Sequence, residues 1–454
     1  MSERVTASLA ILDAHRAKLA AGLDTEDALA LELTRRHPQW RYTAEWSRWH
    51  HYDAERALWL HDSRLRHLSL VREIVRGIAP ERLHRAAAVA GIASLARSNP
   101  GVSMSAEEWD SSIWLLGTPG AVIDLRTGEA VPDPMAARCT MQASCPAASP
   151  GTPAPIWQGF LERITRHDPE LIGYLQRIAG YGLCGSDREQ CLFFAYGPGG
   201  NGKGVFMNTL TAIAGSYGHV ASGDLLLAAA GERHPTDMAS LRGRRFVTAS
   251  ELRPGARWDE QRLKSLTGGD PITARFMRCD EFTFRPQFTL MISGNHRPSF
   301  AGVDEAIRRR LRLIPFAQCI PEAERDPDLP EKLCAEYPAI LRWMIDGCIA
   351  WQRDGLTTPA SVREASAQYL EAEDALGQWM ADCLETFTPA MRVHTSRADL
   401  FASWERWIAS NGGPAWSARA FYAALEERGI EPGVREGVRG FRNIALRSGY
   451  GYAL

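Results

Sequence analysis

Between Phe193 and Leu210 the chain reads FFAYGPGGNGKGVFMNTL, and the residue types there suit one chemistry, the binding of phosphate. Gly197, Gly202 and Lys203 fit the spacing G-x-x-x-x-G-K, with Pro198, Gly199, Gly200 and Asn201 between them. Glycines let backbone N–H groups close around phosphate oxygens, a following helix adds the partial positive charge of its N-terminus, and an ammonium reaches the terminal phosphates. The stretch 197–205 is therefore expected to bind a nucleoside triphosphate, against the reading of a glycine-rich turn between strand and helix without a ligand. The position after the lysine, where a hydroxyl would hold Mg²⁺, is Gly204, followed by Val205, so magnesium must be held some other way. The chain has four lysines against 48 arginines. A compact ammonium fits a closed cradle where a planar guanidinium would not, which makes the lysine at 203 informative.

Further candidates follow in order. Glu251 ends the β-rich run RFVTASEL, where an acid can orient Mg²⁺ or polarise the attacking water; a surface glutamate at a strand end is an equal reading. Asn295 follows a third apolar run, 288–293, and its amide can sense a γ-phosphate or position water. Arg308, Arg309 and Arg310 are consecutive, more than a solvated face needs, and in a ring one of them could reach the neighbouring subunit's nucleotide as an arginine finger. Lys264, Arg275 and Arg278 surround an expected hairpin over 272–284 with its tip at 277–280. Basic and aromatic residues on a projecting hairpin suit the tracking of single-stranded DNA, against an ordinary solvated hairpin.

These residues need elements to place them. The run 191–196 reads as a buried strand, and strand, glycine loop and helix follow one another. Residues 1 to about 90 read as mostly helical, with Trp40, Trp46, Trp49 and Trp59 anchoring a small core. Helical periodicity continues over 83–96, a helix start falls at Ser105, and two short strands join through Arg126-Thr127-Gly128. The Pro-, Ala-, Ser- and Gly-rich stretch 132–155 reads as a linker or exposed loop. Helices over 156–190 then form a collar, and 359–384 closes the core. Over 395–454 a helix with Leu400, Trp404 and Trp407, a turn at Asn411-Gly412-Gly413-Pro414, a second helix and terminal strands resemble a winged helix. With eight arginines against six acids, this module is only weakly basic. The expected units are 1–135, a linker at 136–155, an ATPase core at 156–385 and the small module at 390–454.

Composition narrows the class. A hydrophobic content of 45% and a charged content of 23% are globular values, and a net charge of −2 gives no overall signature of a nucleic-acid binder. Nine scattered cysteines without a C-x-x-C pair read as reduced thiols. No apolar run approaches a membrane span, and the expected location is the cytoplasm of a bacterial host.

Taken together, the motifs resemble the superfamily 3 helicase core of phage and plasmid primase-helicases, a group related to poxvirus replicative ATPases. EEWDSSIWLLGTPGAVIDLRTGEA resembles the end of the family's N-terminal domain, LKSLTGGDPITARF its third motif, and FTLMISGNHRPSFAGVDEAIRRRLRLIPF its sensor and arginine region. The resemblance implies an α/β fold with a P-loop AAA+-like parallel sheet, an N-terminal helical or α+β domain and a C-terminal winged helix. It implies an ATP- and Mg²⁺-dependent replicative helicase moving 3′ to 5′ on single-stranded or forked DNA as a ring, expected to be a hexamer. Lys203 then matches the phosphate lysine, Glu251 the metal-orienting acid, Asn295 the sensor, Arg309 or Arg310 the finger, and Lys264, Arg275 and Arg278 the DNA hairpin. A primase needs clustered carboxylates, and Asp110 and Asp124 stand singly, so any primase is expected to be a separate partner. The alternative is an ATP-switched origin-binding initiator or loader that does not unwind.

Overall fold

The computed structural model describes residues 23–228, 235–250, 252–253, 255–277, 280–300, 302–412 and 416–447. Its centre is a sheet of five strands, β1 Leu192–Tyr196, β2 Gly218–Ala221, β3 Phe246–Ala249, β4 Thr289–Gly294 and β5 Leu311–Pro315. All pair in parallel, in the order β5-β1-β4-β3-β2. LFFAY, FVTA, TLMISG and LRLIP are nearly continuous apolar runs because both faces of the sheet are covered. Phe193, Ala195, Met291 and Ile314 pack on one face with the helices Pro169–Tyr181, Lys203–Ala214 and Leu329–Asp354. Leu192, Phe194, Leu290 and Ile292 pack on the other, against Leu263, Ile307 and Tyr369 of the helices Glu260–Gly268, Glu305–Arg310 and Ala360–Glu373. Successive residues of β1 thus serve opposite cores, as a strand's period of two requires.

The N-terminal unit differs from expectation. Glu26–Arg36, Arg66–Ile78 and Ala86–Ala96 are helices, but 40–61 is not helical. Trp40–Thr43, Arg48–Asp53 and Leu58–His61 form an antiparallel meander, with Ser103–Met104 added in parallel to the first strand. Trp40, Trp49 and Trp59 lie on these strands and Trp46 lies in the turn between the first two. The reason is a period of two: Trp49 faces the helices with Trp40 and Tyr42, while the intervening His50 faces Trp109. The start signal at Ser105 is a capping box closing only one 3₁₀ turn, Ala106–Glu108. Ala121–Asp124 and Glu129–Ala130 pair as expected and are joined by Leu115–Thr118.

The stretch expected as a linker has neither helix nor strand after Ala130, yet it is not a free loop. Cys139, Ala143 and Cys145 are buried, Ala143 N–H donates to Gly117 O (2.8 Å), and Ser144 N–H to Ile213 O (3.0 Å). Tyr217 donates its hydroxyl proton to Met141 O (2.9 Å) and accepts from Gly117 N–H (3.0 Å). Backbone groups that would face water in a linker are satisfied here by the core, so the segment straps the N-terminal unit to the sheet. Arg245, 1% exposed at the foot of β3, completes the joint by donating to Leu183 O (3.0 Å) and Ser112 O (3.1 Å).

At the other end, the helix Ala375–Cys383 shares a core with Trp404, Phe421 and Phe441, so this cluster begins at Leu376, ahead of the expected boundary. The helices Arg397–Asn411 and Ala418–Glu427 precede the hairpin Pro432–Arg435/Val438–Arg442, with His394–Ser396 pairing on its outer side. Gly413 and Pro414 of the expected turn lie outside the described residues. Asp374 caps the helix Ala375–Cys383 and accepts from both Arg308 (2.7 Å) and Arg428 (2.5 Å), which ties the arginine run to this unit.

Candidate functional site

The chain leaves β1 toward one face of the sheet and leaves the adjacent β4 toward the other, because the helices that follow belong to different cores. Loops that diverge at neighbouring strand ends open a crevice at the carboxyl edge of the sheet. The glycine loop lies there. Gly197 is packed so closely that a Cβ would lie 2.2 Å from Phe316 O, while Gly200 and Gly202 have φ of 72° and 84°, conformations that favour glycine. A Cβ at Gly204 would meet nothing within 4 Å, so packing does not exclude a larger residue there.

Lys203 is only 7% exposed, yet its ammonium faces no carboxylate among the described residues. Nζ donates to Gly197 O (2.7 Å), Pro198 O (3.1 Å), Asn201 Oδ1 (3.0 Å) and Asn295 Oδ1 (3.1 Å). Burial holds its pKa down, at about 8. Asn201, 2% exposed, fixes the loop by donating Nδ2–H to Phe316 O (2.8 Å). A buried cation bonded only by neutral oxygens is costly, and an arriving anion removes that cost. Lys203 and Asn295, 92 positions apart, thus meet across the crevice between β1 and β4.

The other expected residues are placed differently. Glu251 lies outside the described residues. Among the described residues no group of three or more His, Cys, Asp or Glu side chains could hold a metal, and Gly204 brings no hydroxyl. Arg308 is bound to Asp374. Arg310 is buried and turned into its own chain, donating to Thr267 Oγ1 (3.2 Å) and Ala306 O (3.2 Å). Arg309 is exposed. The expected hairpin forms as Ile272–Ala274 against Phe282–Phe284, with Phe276 stacked on Phe282 and Arg275 exposed. Lys264 is paired with Asp304 rather than free, and Arg278 lies outside the described residues.

Two arginines went unread in the sequence. Arg297 lies over the ring of Tyr196, the last residue of β1, at 4.1 Å. Arg325 sits against Gly200, held by a bond from Nε to Ile320 O (3.0 Å). The signal for Arg297 was its position two residues beyond Asn295; Arg325 lies in PEAERDPDLP, where no period marks it.

Residues 28–166 match the family described as D5 N terminal like, and residues 195–310 match a family described as being of unknown function, DUF5906. Over 329 residues the chain is 24% identical to "Putative helicase L207/L206" of Acanthamoeba polyphaga mimivirus, covering 66% of this chain and 34% of that one. It is 27% identical over 233 residues to "Putative helicase 022R" of Frog virus 3, covering 46% and 24%. It is 27% identical over 135 residues to "Primase D5" of Fowlpox virus, covering 28% and 17%. The chain thus matches about a third or less of the length of these relatives. In fold it is similar to the C-terminal region (305–718) of NrS-1, with a TM-score of 0.50 at 10% identity, covering 91% of this chain and 98% of that one. The two family matches lie in tandem, the first running through the strap and the first collar helix and the second beginning within β1, and together with these relatives they support a D5-like primase-helicase family.

Proposed function

We propose that this chain is an ATP-dependent DNA helicase of the superfamily 3 type, serving replication of a phage, satellite or plasmid. The observation that carries the reading is Lys203, a buried ammonium without a carboxylate partner among the described residues, at the carboxyl edge of a parallel sheet. Loop N–H groups and Lys203 hold the phosphates. Asn295, already bonded to Nζ, is placed to register the terminal phosphate and to hold a water. Glu251 is the proposed acid that activates this water. Arg309, exposed while Arg310 is buried, is the proposed finger acting on a neighbouring subunit's nucleotide in a hexameric ring. The hairpin, with Arg275 and Arg278, is proposed to follow single-stranded DNA in the 3′ to 5′ direction, and the C-terminal helices and hairpin form a winged-helix-like module.

The test is hydrolysis of Mg²⁺-ATP with and without single-stranded DNA, beside unwinding of a fork with a free 3′ tail. DNA-stimulated hydrolysis with unwinding is expected. Gly204 favours a second reading, because the missing hydroxyl weakens turnover more than binding. Assembly on DNA that depends on ATP but proceeds without turnover would replace the motor by an initiator or loader.

A further inference from the structure

Beside the glycine loop, on the side away from Asn295's strand, lies a cavity of about 420 Å³. That is within the ~300–1,000 Å³ usual for small-molecule sites. One wall is the helix Pro155–Thr165, whose Phe160 faces the cavity and packs on the loop: a Cβ at Gly202 would lie 3.0 Å from its ring. The opposite wall is the segment after β5, including Ile320 and Leu329, and it is fastened to the loop by Ile320 N–H donating to Gly200 O (2.8 Å). Val205, on the first turn of the helix that begins at Lys203, closes the floor. The cavity and the phosphate cradle therefore share Gly200, Gly202 and the start of one helix. An ion pair between Arg163 and Glu324 spans the two walls. The interior is apolar while the charges lie on more exposed side chains, the distribution expected where a flat ring enters and its polar tail stays outside.

We propose that this cavity is the nucleoside pocket of the phosphate site. It takes the base and sugar of a nucleoside triphosphate whose phosphates lie on 197–203, and it holds the base by contact with Phe160, Val205 and Ile320. The proposal rests on reading the loop as a triphosphate site. It gives the collar helix a part in substrate binding and makes the base, as well as the phosphates, a source of affinity.

Gly159 provides the test. It lines the cavity from within the helix, and a Cβ there meets nothing within 4 Å, so the side chain of Gly159→Leu starts in open space beside the cavity and improves helix propensity. The full chain would be titrated calorimetrically with ATP and with inorganic tripolyphosphate. Wild type should bind ATP more tightly than tripolyphosphate. Gly159→Leu should weaken ATP at least tenfold and leave tripolyphosphate unchanged, whereas Lys203→Ala should weaken both. Photolabelling of wild type with 8-azido-ATP should mark the peptide 155–165, a readout that does not depend on any variant folding. Unchanged ATP affinity in Gly159→Leu, equal loss of both ligands, or labelling elsewhere would overturn the pocket while leaving the loop intact. Wild type that bound neither ligand would instead remove the phosphate site, and the pocket with it.

Discussion

Lys203 and Lys264 belong to the same parallel-sheet core and were both read from sequence as functional cations, but the structure treats them in opposite ways. Lys203 is buried among neutral oxygens, and burial depresses its pKa. Lys264 is about one-third exposed and its charge is met by Asp304, the residue that caps the helix Glu305–Arg310. Lys332 resembles the second case, paired with Asp326 at 2.6 Å. The arginine run repeats the contrast with the signs of exposure exchanged, since Arg310 is inside and bonded while Arg309 stands in solvent. A positive charge already answered within the chain contributes to structure; one left unanswered is available to a ligand or a partner.

Arg309 gives the largest expected effect. Arg309→Ala should lower hydrolysis by about a thousandfold, as loss of a trans-acting arginine does, with an unchanged melting temperature. Arg310→Ala should instead destabilise the fold by roughly 1–3 kcal/mol by removing a buried, bonded guanidinium. Thermal melting beside ATPase assays separates them, and a reversed pattern would exchange their roles. For Lys203→Ala, loss of charge-assisted bonds worth about 1.5–3 kcal/mol should weaken ATP binding roughly ten- to a hundredfold, measured by titration; an unaffected affinity would break the comparison at its root.

The pH dependence sharpens it further. Below about 8 Lys203 carries its proton and can meet an anion; above that value the empty protein loses it, so ATP binding must take up a proton. Affinity should fall by up to tenfold per pH unit above about 8, and a flat profile from pH 7 to 9.5 would mean that Lys203 does not touch the ligand. The folded pKa lies below the unfolded value of 10.5, so the unfolded chain binds the extra proton in this window. This group's contribution to stability therefore rises from pH 8 toward 10.5 rather than falling. The smallest effect is Lys264→Ala: about 0–1 kcal/mol in stability and little change in single-strand affinity, because Asp304 already neutralises it. A large loss of DNA affinity would show that Asp304 releases the lysine to DNA.

The parts of the fold legible in sequence were those whose burial left long apolar runs. β1, β3 and β4 stood out because both of their faces are covered, and β2 did not, because GHVA is an edge strand with Val220 63% exposed. The stretch 40–61 was misread because tryptophans spaced among charges fit a helical face as readily as alternate positions of a short meander. Only the pairing of Tyr42 with Trp49 and of Tyr52 with Trp59 decides between the two. The strap was misread because its composition is that of a linker, while its order comes from backbone bonds to residues distant in sequence, such as Tyr217. In the site, Lys203 and Asn295 were legible from motif order, but no local pattern announces that Arg310 turns inward or that Asp304 answers Lys264.

The four oxygens around Lys203 also set a toll on entry. An ammonium has three protons, and its own chain already offers them more than enough acceptors. A visiting anion must outcompete these contacts, so a singly charged ion such as chloride gains little by displacing them, whereas a chain of linked phosphates gains several interactions at once. If the crevice takes phosphates as proposed, its choice among anions would be set by charge density, through the resting contacts of one side chain.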